Sequence, residues 1–126
     1  MKALSKVSVG VPAVVFIGMG LAWWVAPGTA SQMLGMPLLT GAGLSSQIAD
    51  LASFFLTLGG SMLIGLISGN RTWFLPPILL LGLAIVGRCV AWLAHAADFA
   101  ARMVAVEAIV LTILVIHGRA PGGSKR

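Results

Sequence analysis

Arg88 and Glu107 each stand inside a long run of apolar side chains. An ionisable group in such a run costs several kcal/mol unless it is paired or wetted, so it marks an ion pair or a functional site. The other acids, Asp50 and Asp98, together with His95 and Arg102, complete a small polar set at the ends of the same apolar runs. Its chemistry would be the binding of a small polar group, or acid–base work. Glu107 or Asp50 could serve as general acid or base, with Arg88 orienting a substrate oxygen or stabilising developing negative charge. Arg88, Trp92 and His95 follow i, i+4, i+7 spacing and share one helix face, while Glu107 shares its face with Met103, Leu111 and Leu114. Arg88 precedes His95 by seven residues, which at about 1.5 Å per residue puts it roughly 10 Å below that helix end. Glu107 reaches a similar depth on the next helix, so the two should meet. The expected ligand site is therefore a pocket lined by Asp50, Arg88, Trp92, His95 and Glu107. Two other readings stay open: an interior ion pair that only fixes helix register, and a coupling role in ion or proton movement.

Other chemistries lack their residues. No second His lies three or four positions from His95, which argues against a haem or metal ligand, and His117 marks a helix end. Cys89 is the sole cysteine, so neither a disulfide framework nor a zinc cluster is available, and it reads as a small buried hydrophobe. No nucleophile motif, Walker loop or dinucleotide fingerprint occurs, and Gly-Ala-Gly at 41–43 reads as a flexible turn. A net charge of +5 raises nucleic acid as a partner, but the basic residues flank apolar runs and form no patch interleaved with aromatics.

The elements that must carry these residues follow from composition. The chain is 59% hydrophobic and 9% charged, against about a quarter charged in soluble domains, and belongs in lipid. About 20 apolar residues cross the hydrocarbon as a helix, and four uncharged or nearly uncharged runs qualify, at about 7–26, 47–68, 73–94 and 101–117. The expected fold is an all-α, single-domain, four-transmembrane-helix bundle over 1–126. Lys2, Lys6, Arg71, Arg119, Lys125 and Arg126 flank the runs on one side, whereas the link 28–46 has no Lys or Arg, so both termini should face the cytoplasm. This orientation gathers the polar set in the outer half. Arg102 sits at an outer helix end, where it can snorkel. Trp23 and Trp24 read as interface anchors closing the first helix, and Trp73 as one opening the third.

The link 28–46 is too apolar for a solvated loop, with Met33, Leu34, Met36, Leu38 and Leu39, and is expected to form a short interfacial helix or re-entrant segment. Lys2 and Lys6 before an apolar stretch also fit a secretory signal, but that stretch is longer than a usual signal core. Ser61, Gly65 and Gly69 stand four apart and predict a tightly packed helix face. Pro12 and Pro76-Pro77 lie near inner helix ends, where they start or kink a helix. The last six residues read as a disordered tail.

A first helix ending in Pro27, Leu34-Gly35 in an apolar link, Gly59-Gly60, Gly87-Arg88 and Glu107 recur in that order along most of the chain. In this it resembles an uncharacterised family of small bacterial four-helix membrane proteins, loosely similar to the DoxX-like group. An Arg often stands in that family near where this sequence has Asp50. The resemblance implies a location in the bacterial inner membrane and a possible membrane redox accessory linked to quinone; it supplies no catalytic residues. Three functions stand: a binding or accessory subunit holding a lipid, quinone or other apolar ligand, alone, as a homo-oligomer or in a larger membrane complex; an isomerase or lyase acting on a hydrophobic small molecule; and a small exporter. The exporter reading is disfavoured because small multidrug exporters use an acid in their first helix, and 7–49 carries no charge.

Overall fold

The computed structural model describes residues 3–119, so Lys2, Lys125, Arg126 and the expected disordered tail lie outside the described residues. The described chain is helical, with no strand. Helix α1 spans Ala3–Val25, α2 Pro27–Met33 and α3 Gly41–Ser46; a π-helical turn at Gln47–Leu51 leads into α4, Ala52–Ser68. A 3-10 turn at Arg71–Phe74 leads into α5, Leu75–Ala94, and α6 is Ala101–Gly118. Gly41–Ser68 runs on as one helix of 28 residues and Arg71–Ala94 as one of 24. With α1 and α6 these make four helices long and apolar enough to cross a membrane, so the chain is a multi-pass membrane protein. At about 1.5 Å per residue, the 18 residues of α6 reach about 27 Å, close to a hydrocarbon core of about 30 Å.

The helices close in a ring in chain order: α1 packs on α4, α4 on α5, α5 on α6, and α6 back on α1. The tightest pairing is α1 with α4, and its cause is glycine. A Cβ at Gly59 would lie 2.5 Å from the Ala13 carbonyl oxygen and 2.9 Å from the Ile17 nitrogen, so only a bare backbone lets the two helices cross there. Gly20 against Leu56 and Gly10 against Leu66 continue the same antiparallel register. The sequence-predicted face is thereby corrected. Ser61 and Gly65 are buried, Gly65 under the Phe74 ring, but Gly69 is exposed and ends α4 with φ +72. Gly59, two residues before Ser61 and off that row, makes the close crossing.

The main core joins Val9, Ala13 and Phe16 of α1, Leu58 and Met62 of α4, Phe74, Leu81 of α5, and Val110 and Leu114 of α6. It occupies the half of the bundle nearer the chain ends. A second cluster of Trp23, Ala30 and Ala52 sits at the other end, where α2 folds back over α1. Trp23 is therefore no interface anchor: it is fully buried, and its Nε1 has no partner among the described residues. Trp24 is 57% exposed. Burial wins at Trp23 because its ring packs against Ala30 and Ala52 where α2 folds back, and in lipid it is such packing that holds helices together.

The link after α1 forms the expected short helix, α2, with Pro27 in its first turn. It ends at Gly35, φ +70, where Met36 N–H donates to the Ser31 carbonyl and Gly35 N–H to that of Gln32, satisfying the last free carbonyls. Buried Gln47 pins the stretch beyond, donating to the Pro37 carbonyl at 3.0 Å and accepting from Leu39 N–H at 2.8 Å. Gly41, Ala42 and Gly43 are not a flexible turn. Gly41 redirects the chain with φ +58 and a helix starts there, because helix is the cheapest way to satisfy backbone groups in an apolar setting. Helix α1 likewise begins at Ala3 and takes Lys6 inside it.

Candidate functional site

Helices α5 and α6 form an antiparallel hairpin whose link holds two features of the polar set. His95 caps α5 and is exposed, and Ala96 adopts φ +59, the one positive φ outside glycine among the described residues. That turn brings Phe99 back onto α5, where its ring meets Trp92 with centroids 5.0 Å apart. The aromatic contact clasps the link to the last turns of α5.

One turn below Trp92, Arg88 reaches across to Glu107. Its Nε donates to Oε1 at 2.8 Å and its Nη2 to Oε2 at 2.9 Å, a fork that fixes both distance and plane. The two sides differ in burial: the Glu107 side chain is 10% exposed and that of Arg88 31%. Glu107 continues the buried stripe of α6 formed with Val110 and Leu114, standing where the next apolar core residue would. The carboxylate is thus inside the bundle and the guanidinium at its edge. Nη1 of Arg88 donates to no described residue, so its two N–H donors, with the second on Nη2, remain for a further acceptor.

Pro77 and Leu81 are the buried residues of α5, and none follows Leu81. Leu83, Val86, Val90 and Leu93 are all exposed, on the face of α5 opposite Arg88. On Arg88's own face Ala84, Ile85 and Ala91 are half-buried and Trp92 is exposed one turn above, so the pair is reached only at the guanidinium edge.

The remaining expected site residues do not join the pair by hydrogen bond or ion pair. Trp92 and His95 are exposed above Arg88, and Trp92 spends one face on Phe99. Asp50 is exposed in the π-helical turn, which packs on α1 and α4, and it has no hydrogen-bond partner among the described residues. Arg102 and Asp98 are also exposed. His117 points its Nδ1 at the Ile113 carbonyl 2.7 Å away; a carbonyl only accepts, so Nδ1 carries the proton and the ring closes its own helix end. Cys89 is free and half-buried beside Arg88 in sequence. Among the described residues no three His, Cys, Asp or Glu side chains converge on a point.

Phe99 and Gln47 had no signature in the sequence. Each acts through a contact set by a turn: the 95–100 link carries neither Pro nor Gly, and Pro37 and Gly41 mark the turn before Gln47 without showing which side chain closes it.

The fold and the pair define a class: a four-helix multi-pass membrane protein with one bidentate ion pair between its last two helices. No family model, curated protein or solved structure matches the chain.

Proposed function

We propose that this chain is a small membrane binding protein, or the binding subunit of a larger membrane complex, that holds an apolar ligand with an oxygen acceptor, a lipid or a quinone, at Arg88. One observation carries the reading: a guanidinium fixed by Glu107 at two of its nitrogens while Nη1 stays undonated, on a side chain that is itself 31% exposed. A preset fork costs little entropy on binding, because the partner that orients it is already in place. Trp92, on the same face of α5, offers a flat apolar wall one turn above. The resemblance to DoxX-like proteins favours a quinone among the candidates. The same residues support a second reading as an isomerase or lyase, with Glu107 exchanging a proton and Arg88 stabilising an oxyanion; burial of a carboxylate beside a free donor is what favours it. The setting is the cytoplasmic membrane of a bacterium, with both chain ends inward and the Arg88–Glu107 pair in the outer half.

The test is extraction of the purified chain with organic solvent and mass spectrometry of what it carried. Wild type should release a quinone or a defined lipid in near-stoichiometric amount, and Arg88→Met should release less than a tenth of it. Equal release from both proteins, or none from wild type, overturns the reading.

A further inference from the structure

At the opposite end of the bundle a second place has the makings of a site. A groove of about 480 Å³ runs along α1 beside Leu63 of α4. Its shape follows from helical spacing. Lys6, Gly10 and Val14 stand in one row, with Val7, Val11 and Val15 in the next. Gly10 has no side chain, so the first row is broken in its middle and the surface dips between Lys6 and Val14. Apolar side chains form the walls, and Lys6 at one end is the one charged residue that lines it. Lys6 is exposed and makes no ion pair or hydrogen bond with a described residue.

We propose that this groove binds one acyl chain of an anionic phospholipid, with Lys6 holding its headgroup phosphate. Three features select that occupant. Shape is the first: the groove is shallow, open along its length and apolar except at Lys6, a form that suits a flexible acyl chain lying along the helix. Position is the second. Lys6 lies three residues, about 4.5 Å, inside the start of a 23-residue helix, the level at which a lysine meets headgroups while Val11 and Val14 lie deeper among the tails. Charge is the third. All three acidic side chains of the chain, Asp50, Asp98 and Glu107, belong to the far half of the bundle, so no Asp or Glu among the described residues neutralises Lys6 or repels a phosphate there. The site is independent of Arg88 and Glu107.

Native mass spectrometry of the full chain in detergent tests it, with phosphatidylglycerol and phosphatidylcholine of identical acyl chains added in turn. Wild type should retain phosphatidylglycerol roughly fivefold over phosphatidylcholine, the ratio that one lysine near an anionic surface supplies. Lys6→Gln should erase that preference, and Val14→Trp, which fills the groove from its exposed side, should lower retention of both lipids. Both positions are exposed, so the fold survives either change. The proposal is overturned by equal retention of the two lipids in wild type, by a preference that persists in Lys6→Gln, or by undiminished binding in Val14→Trp. Inorganic phosphate at millimolar concentration should not displace the lipid; displacement would mean a free-anion site and would overturn it too.

Discussion

Glu107 is 10% exposed and its partner 31%, and this inequality decides what each contributes. Removing one partner of an interior pair leaves the other charge uncompensated, which costs 3–5 kcal/mol at fully buried sites. Because Arg88 lies at the bundle's edge, Glu107→Leu, which leaves Arg88 unpaired, should cost less, about 2 kcal/mol, as should Arg88→Met. The double variant Arg88→Met/Glu107→Leu should regain most of that loss, since two apolar side chains of similar volume satisfy the same contact without desolvating charge. Unfolding of the three variants in detergent measures the coupling; a double variant that loses the sum of the two singles shows that the fork is not an energetic unit. The same double variant separates register from ligand binding, because a stable chain that retains its ligand has used the pair for register alone. The meeting of these residues was legible in the sequence, as each lies a similar distance from a short link and antiparallel helices bring equal depths together. The position of Asp50 was not. A π-helical turn inserts an extra residue per turn at Gln47–Leu51 and rotates every face beyond it, so a 3.6 period cannot say where Asp50 points.

Helix pairing in this chain is set by where the backbone is bare. Gly59 and Gly60 are adjacent in α4, yet a Cβ at Gly59 would meet the backbone of α1 at 2.5 Å while one at Gly60 would meet nothing within 4 Å. Backbone cannot yield as a side-chain tip can. Gly59→Ala should therefore separate α1 from α4 and destabilise the bundle by about 1–3 kcal/mol, the range for overpacked interiors. Gly60→Ala should be neutral or gain a few tenths of a kcal/mol from helix propensity. Thermal unfolding of the pair, side by side, checks this, and equal effects would mean that helix propensity and not the crossing is being measured. Four apolar runs and their order were plain from hydropathy alone. The choice of Gly59 over the Ser61, Gly65 and Gly69 row was not, because spacing identifies a small-residue row but the crossing point depends on which face α1 presents. Trp23 illustrates the same limit: its place at the end of an apolar run suggested an interface, whereas α2 folding back made it core.

For the whole molecule the charge distribution makes a claim about direction. Lys6, Arg71 and Arg119 all stand at the end where α1 begins and α6 finishes, and Arg71 Nη1 donates to the Gly118 carbonyl at 3.1 Å, tying the short link before α5 to the end of α6. The links at the opposite end, 34–40 and 95–100, contain neither Lys nor Arg. Basic residues in short links are retained on the cytoplasmic side, and acids count for little, so Asp98 should not offset this bias. Single cysteines placed in a Cys89→Ser chain read the direction out. In intact cells a membrane-impermeant maleimide should label Thr40→Cys and Ala97→Cys, and should reach Asn70→Cys only after the membrane is permeabilised. The inverse pattern would turn the bundle over and put the Arg88–Glu107 pair in the inner half, where a ligand would have to come from the cytoplasmic leaflet. Labelling of all three in intact cells would contradict the crossing of α4 and α5 altogether. The same direction places Lys6 in the leaflet whose anionic lipids a lysine can hold, so one labelling pattern constrains both ends of the molecule.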